Sequence, residues 1–105
     1  MSNVLFMTLM RKWFYEILEG RKKIEYRLVK PYWTKRIVGR EYDKILFKNG
    51  YGSKAPMMLV EYKGYHLGVW RGDPAYCLEL GDVLKVWNVS GYPHHPVVGG
   101  VYACL

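Results

Sequence analysis

The feature that most restricts the fold of this chain is one amphipathic segment near its start, over residues 10–19. Its apolar residues follow the spacing i, i+3, i+4, i+7 and i+8, at Met10, Trp13, Phe14, Ile17 and Leu18. This is the period of a helix that buries one face. Gly20 follows, at the position where a helix C-cap favours glycine. The pattern predicts a single helix that needs an apolar surface to cover it.

Glycine and proline divide the rest of the chain into short runs with strand character. They include residues 23–28, 44–48, 57–63, 76–80, 83–89 and a last run at 97–104. Gly81-Asp82 is predicted to be a turn, and Pro31 predicts a short second helix over residues 32–38. The order predicts an α+β fold, a small closed or nearly closed β-barrel of about five or six strands with two helices packed on it.

Length and charge point to one basic domain. A chain of 105 residues, half of them hydrophobic, can build a core of its own, and we take residues 1–105 as a single domain. The 16 Lys and Arg outnumber the 9 Asp and Glu, for a net charge of +7, which favours polyanions such as RNA as partners. No apolar run approaches the roughly 20 residues of a membrane span. We therefore expect a cytoplasmic protein with no membrane partner.

Residues 20–27, Gly-Arg-Lys-Lys-Ile-Glu-Tyr-Arg, concentrate charge directly after the predicted helix. Side chains alternate between the faces of a strand, so Glu25 and Arg27 share one face. Lys22, in the turn before the strand, can reach that face from the side. Arginine binds phosphate or carboxylate through paired hydrogen bonds, and glutamate accepts from the exocyclic amine of a base. The segment therefore predicts either a ligand site or a strand surface with paired charges.

The same segment resembles G-x-K-x-x-E-x-R, the signature of the ASCH domain family of PUA-like barrels. Its four defined positions are filled by Gly20, Lys22, Glu25 and Arg27. The context is similar too: an amphipathic helix precedes the motif, and the KILFKNGYG and YCLELG segments follow it, so that the resemblance covers residues 5–89. It implies a PUA-like barrel in which these four residues bind RNA or a nucleotide-like ligand in a basic cleft beside the first helix.

A second basic and aromatic cluster lies in the segment KNGYGSK, where Lys48 and Lys54 bracket Tyr51. Lysine contacts phosphate, and an aromatic ring stacks on an unpaired base. We therefore expect Lys48, Tyr51 and Lys54 to extend the nucleic-acid surface. Other rings near the motif or near turns are also candidates for stacking: Tyr26, Tyr32, Trp33 and Trp70.

The resemblance also leaves an enzymatic function open. Some ASCH proteins are small amidohydrolases that deacylate acetylated cytidine, in which a lysine activates a threonine and a later glutamate assists. The matching positions are Lys22 and Glu61, but Glu25 stands where the threonine is expected. A carboxylate can be a general base but cannot replace a hydroxyl nucleophile without a change of mechanism. Lys22, Glu25 and Glu61 are thus the catalytic candidates of a hydrolase that acts on modified nucleosides or on RNA; a protein-interaction domain is the third alternative.

The chain shows no spacing typical of a metal site or of a phosphate-binding loop. No metal and no cofactor are therefore predicted. His94 and His95 stand between Pro93 and Pro96, where we favour a loop over a metal site. Cys77 and Cys104 lie in no Cys-x-x-Cys pair, and we expect both to be reduced thiols.

Overall fold

The structure is a computed structural model, in which residues 3–89 are described. Over this range the chain is α+β, as predicted, with five strands and two helices. The helices are α1 (Arg11–Leu18) and α2 (Pro31–Ile37). The strands are β1 (Val4–Thr8), β2 (Ile24–Leu28), β3 (Lys44–Lys48), β4 (Met57–Trp70) and β5 (Asp73–Trp87).

The strands form one mixed sheet in the order β1-β3-β4-β5-β2. β1 and β3 run parallel, and the other neighbouring pairs are antiparallel. β1 and β2 are therefore the two edges, and within residues 3–89 no backbone ladder joins them. The prediction of a closed barrel is thus not confirmed by the strand pairing.

β4 and β5 form one long hairpin, which differs from the predicted arrangement. Gly81 and Asp82 are not a turn, because both lie inside the single strand β5. The hairpin turn is Arg71-Gly72, where both residues have positive φ, and β4 extends to Trp70 just before it. A side chain at position 81 would collide with the carboxylate of Glu61 on β4. The Glu61 side chain of the neighbouring strand thus occupies the space beside Gly81, and a glycine inside a strand cannot be distinguished from a turn glycine by the sequence pattern alone.

The hairpin changes register three times between Leu59 and Tyr65. Such shifts leave residues unpaired and increase the local bend and twist of a strand. Gly64 lies inside the last shift, with a φ of 108°. β4 and β5 therefore lie in the middle of the sheet, and the part of the hairpin near its turn bends so that it lies beside β2.

The core lies between the sheet and the buried face of α1. Its fully buried large side chains include Phe14, Leu18, Ile37, Ile45, Phe47 and Met58. Two residues of the predicted helical stripe are exceptions, because Met10 is 72% exposed and Trp13 is half-buried. Met10, at the N-cap of α1, and Trp13 therefore lie at the margin of the core.

Several predictions about the end of the chain lie outside the described residues. They concern the strand at 97–104, the pair His94 and His95, and Cys104. Cys77 is described, and it is a buried free thiol. Neither of the helices in residues 3–89 has the length and apolar character needed to cross a membrane.

Candidate ligand-binding cavity

A cavity of about 600 Å³ opens where β1, β2 and the loop after β3 meet. Its volume falls in the range of small-molecule sites. Five of its lining residues are aromatic: Trp13, Tyr26, Trp33, Tyr51 and Trp70. Its charged lining residues are Glu25, Arg27 and Lys30. The cavity thus combines flat apolar walls with a few charged groups.

Each aromatic ring of the cavity comes from a different part of the fold. The sources are α1, β2, α2, the loop after β3 and the end of β4. Tyr26 on β2 and Trp70 on β4 lie nearly parallel, with ring centres 6.0 Å apart and an interplanar angle of 12°. The turn at Arg71-Gly72 places Trp70 there. Since no two of these rings share an element, the cavity forms only when the whole sheet and both helices are in place.

Glu25 is the one buried charged residue within residues 3–89, and it is 6% exposed. Its Oε2 accepts a hydrogen bond from a terminal guanidinium nitrogen of Arg27 at 2.8 Å, and its Oε1 lies 3.5 Å from Nζ of Lys22. Burial raises the pKa of the Glu25 carboxyl above its usual value, while the charges of Arg27 and Lys22 oppose that shift. The structure therefore brings Lys22, Glu25 and Arg27 into one ionic cluster.

The two cations of this cluster also lie against aromatic rings. Nζ of Lys22 is 5.0 Å from the centre of the Trp13 ring and 4.9 Å from that of Tyr26. The guanidinium carbon of Arg27 is 4.9 Å from the centre of the Trp33 ring. These distances are within the range of cation–π attraction. The ionic cluster and the aromatic walls are therefore one connected structure.

Arg27 additionally connects the two edges of the sheet. Its guanidinium donates a hydrogen bond of 3.0 Å to the carbonyl oxygen of Thr8, the last residue of β1. A side chain of β2 thus spans the gap that the backbone ladder leaves open. The Nε atom of Arg27 is buried and has no hydrogen-bond partner among the described residues, which is uncommon for a buried donor.

Gly20 acts in this site through the backbone. It has a φ of 81° and follows the end of α1. The amides of Arg21 and Lys22 both donate to the carbonyl oxygen of Glu16, so the chain wraps tightly around the helix end. This wrap sets the point from which the Lys22 side chain reaches Glu25.

The three predicted residues of the KNGYGSK segment occupy different places. Tyr51 lines the cavity and is 86% exposed. Lys48 ends β3 and lines an adjoining groove instead. Lys54 is exposed and lines neither. The side-chain amide nitrogen of Asn49 donates to the carbonyl oxygen of Leu9 at 3.0 Å, which joins this loop to the segment just before α1.

Glu61 lies outside the cavity that contains Glu25. It is exposed on β4 opposite Lys44 of β3, and its carboxylate accepts from the amide of Asp82 at 3.4 Å. Within residues 3–89 no group of three or more His, Cys, Asp or Glu side chains is arranged to hold a metal ion.

Three further residues line the cavity without having been predicted from the sequence: Trp13, Lys30 and Asn49. Trp13 belongs to the apolar stripe of α1. The helical period alone does not show that this stripe continues past the edge of the core. Lys30 directly precedes Pro31, and a lysine before a helix carries no site signal of its own. The sequence therefore carries no signal that separates Trp13 from the buried residues of the same stripe.

Searches of protein-family models, of curated proteins and of solved structures find no significant match to this chain. The geometry of the cavity joins aromatic walls to the ion pair of Glu25 and Arg27, and the cavity is therefore the candidate site for a ligand.

Proposed function

We propose that this chain is an RNA-binding domain of the ASCH type, which holds an unpaired base or a nucleotide-like ligand in the aromatic cavity. The observation that carries the proposal is the meeting of aromatic walls with a floor formed by Glu25 and Arg27. Aromatic walls suit the flat faces of a base, which stack without regard to sequence. The carboxylate of Glu25 and the guanidinium of Arg27 are held in place by their ion pair, and they can accept and donate hydrogen bonds at the edge of a base.

The signature residues Gly20, Lys22, Glu25 and Arg27 support the same proposal. The last three form the ionic cluster at the cavity, and Gly20 positions Lys22. A PUA-like barrel is part of the proposal. It is supported by the approach of β1 to β2 and by the bond from Arg27 to Thr8 that joins them. In such a barrel the ligand lies at the seam between the two edge strands.

Positive charge around the cavity supports contacts with phosphate. Lys30 is exposed and lines the cavity. The guanidinium carbon of Arg71, also exposed, lies 4.5 Å from the centre of the Trp70 ring in the cavity wall. With a net charge of +7, the protein attracts a polyanion, and its Lys and Arg side chains position the backbone while the cavity holds a base.

The test is the binding of a fluorescently labelled single-stranded RNA, measured by anisotropy over a series of salt concentrations. We expect intact RNA to bind with an affinity that falls linearly with the logarithm of the salt concentration. Lys30→Gln should reduce the magnitude of that slope by about one, because one phosphate contact is lost. Lys63→Gln, an exposed lysine of β4 outside the cavity, is the matched control. An RNA that stays unbound at low salt would contradict the proposal.

A second candidate function is hydrolysis of a modified nucleoside or of RNA, with Glu25 as the group that transfers the proton. It is favoured by one observation: a buried carboxyl with a raised pKa faces a cavity of ligand size beside Lys22. The protein would then deacylate acetylated cytidine or shorten RNA. Glu25→Gln should abolish turnover, and Glu61→Gln should do so only if Glu61 also takes part. Absence of turnover across nucleosides and RNAs would exclude this candidate.

A further inference from the structure

A groove of about 290 Å³ adjoins the cavity. Thr8, Trp33 and Tyr51 line both the groove and the cavity. Trp33 and Tyr51 therefore stand between the two spaces, and each residue contributes to the lining of both. A flat ligand in the cavity and a second one in the groove would be separated by little more than an aromatic ring.

The groove presents exposed aromatic side chains. Phe6, Tyr32 and Tyr51 are 69%, 56% and 86% exposed. Phe6 lies opposite Leu46 on the face of the sheet that points away from α1, because its neighbours Leu5 and Met7 are in the core. Apolar side chains gathered at one exposed place mark an interaction site more often than scattered ones do.

The charges beside the groove are positive. Nζ of Lys48 lies 3.5 Å from the carbonyl oxygen of Tyr51 and lines the groove. The guanidinium carbon of Arg36 lies 3.5 Å from the centre of the Tyr32 ring, and Arg36 also donates to the Tyr32 carbonyl oxygen. No Asp or Glu of the described chain lines the groove. Aromatic rings beside positive charge suit a ligand that carries both a flat ring and a phosphate.

We infer that the groove holds the next nucleotide of the same RNA strand, so that the protein binds two consecutive nucleotides. This inference rests on the proposed function, since it takes the cavity as the place of the first base. The second base stacks on the rings of Phe6 and Tyr51, and Lys48 contacts the phosphate that joins the two nucleotides. Trp33 and Tyr51 separate the two bases.

The test compares nucleoside monophosphates with the dinucleotides ApA, CpC, GpG and UpU by NMR titration of the full chain. At least one dinucleotide should bind about tenfold tighter than its monophosphate, because a stacked base and a phosphate contact are added. Phe6→Ala should remove most of that gain and leave the affinity for the monophosphate unchanged. Leu67→Ala is the matched control, since Leu67 is equally exposed, at 69%, and lies outside both spaces.

The outcomes separate the two proposals. If monophosphates bind but dinucleotides bind no tighter, and Phe6→Ala has no effect, the second nucleotide position is overturned while the proposed function stands. The groove would then be open to another occupant, such as a protein. If neither the nucleotides nor single-stranded RNA bind, both proposals are overturned.

Discussion

Replacing Arg27 with alanine should lower the free energy of unfolding by about 3 kcal/mol, the lower end of the range for breaking a buried ion pair. The substitution leaves the Glu25 carboxylate without its partner at 2.8 Å and removes the bond to Thr8 that joins β2 to β1. We use the lower end because the Arg27 side chain is 19% exposed. For a domain of this size the melting temperature should fall by on the order of 15 °C.

A second substitution distinguishes the lost ion pair from simple loss of packing. Glu25→Gln introduced into the Arg27→Ala protein should recover part of the lost stability, because it removes the buried charge that has lost its partner. Lys23→Ala, at an exposed position next to the same strand, should change stability by less than about 0.5 kcal/mol. Denaturant unfolding of the four proteins measures these differences. An Arg27→Ala protein as stable as the unmodified one would contradict the assigned role.

The loss in free energy of unfolding caused by Arg27→Ala, called the deficit below, should also depend on pH. Burial raises the pKa of Glu25 in the folded protein, and loss of the Arg27 charge raises it further. A carboxyl with a raised folded-state pKa contributes stability that is present below its unfolded pKa of about 4.3 and lost as the pH rises through the folded value. The deficit should therefore be larger at neutral pH than near pH 4. A deficit that stays constant between the two would show that the Glu25 charge is not its cause.

Trp33→Leu should weaken binding of single-stranded RNA by about tenfold or more, the scale of one stacked base. Trp33 lines both the cavity and the groove, and its ring also faces the Arg27 guanidinium at 4.9 Å. Leucine keeps an apolar side chain at this half-buried position but removes the flat face. Trp33→Phe should retain most of the affinity because it keeps a ring. Fluorescence anisotropy at one salt concentration measures all three proteins.

The matched control for this substitution is Trp87→Leu. Trp87 is also half-buried, but it lies on β5 and lines neither the cavity nor the groove. Melting temperatures of both variants show whether a loss of binding follows from unfolding. If Trp87→Leu weakens binding as much as Trp33→Leu at equal stability, the cavity is not the place where RNA binds.

The local sequence pattern was sufficient to predict the helices and strands whose residues carry a clear helical or strand periodicity. The helix predicted over residues 10–19 is α1 at Arg11–Leu18, and the strand predicted over 44–48 is β3. The apolar spacing that predicts α1 and the glycine that ends it, Gly20, lie within a dozen or so consecutive residues. No contact with a distant part of the chain is therefore needed to predict this helix. The same holds for α2, where proline restricts the backbone at the helix start.

Prediction failed where a distant contact determines the local structure. Gly81 belongs to a continuous strand because β5 pairs with β4 on both sides of it, through residues about 20 positions earlier in the chain. The motif spacing predicted that Glu25 and Arg27 share a face, but it could not show that Arg27 reaches Thr8 on the other edge of the sheet. The five cavity rings likewise meet through strand pairing that no short segment encodes.

The pairing order of the strands has a consequence for how the chain folds. β4 and β5 are neighbours in sequence, joined by Arg71-Gly72, whereas β1 pairs with β3 from Val4 to Lys44 and β2 pairs with β5 from Ile24 to Glu79. Contacts between distant residues carry a larger entropic cost of loop closure. We therefore expect the hairpin to form early and the two edge strands to join late.

Hydrogen exchange of the native protein tests this order: amides of β1 and β2 should exchange through smaller openings than those of the paired parts of β4 and β5. Uniform protection across the sheet would contradict it. The cavity lies where the late-joining edges meet, so a bound nucleotide would hold closed the part of the fold that opens most readily. Binding of a nucleotide would then be visible as slower exchange of the amides in both edge strands.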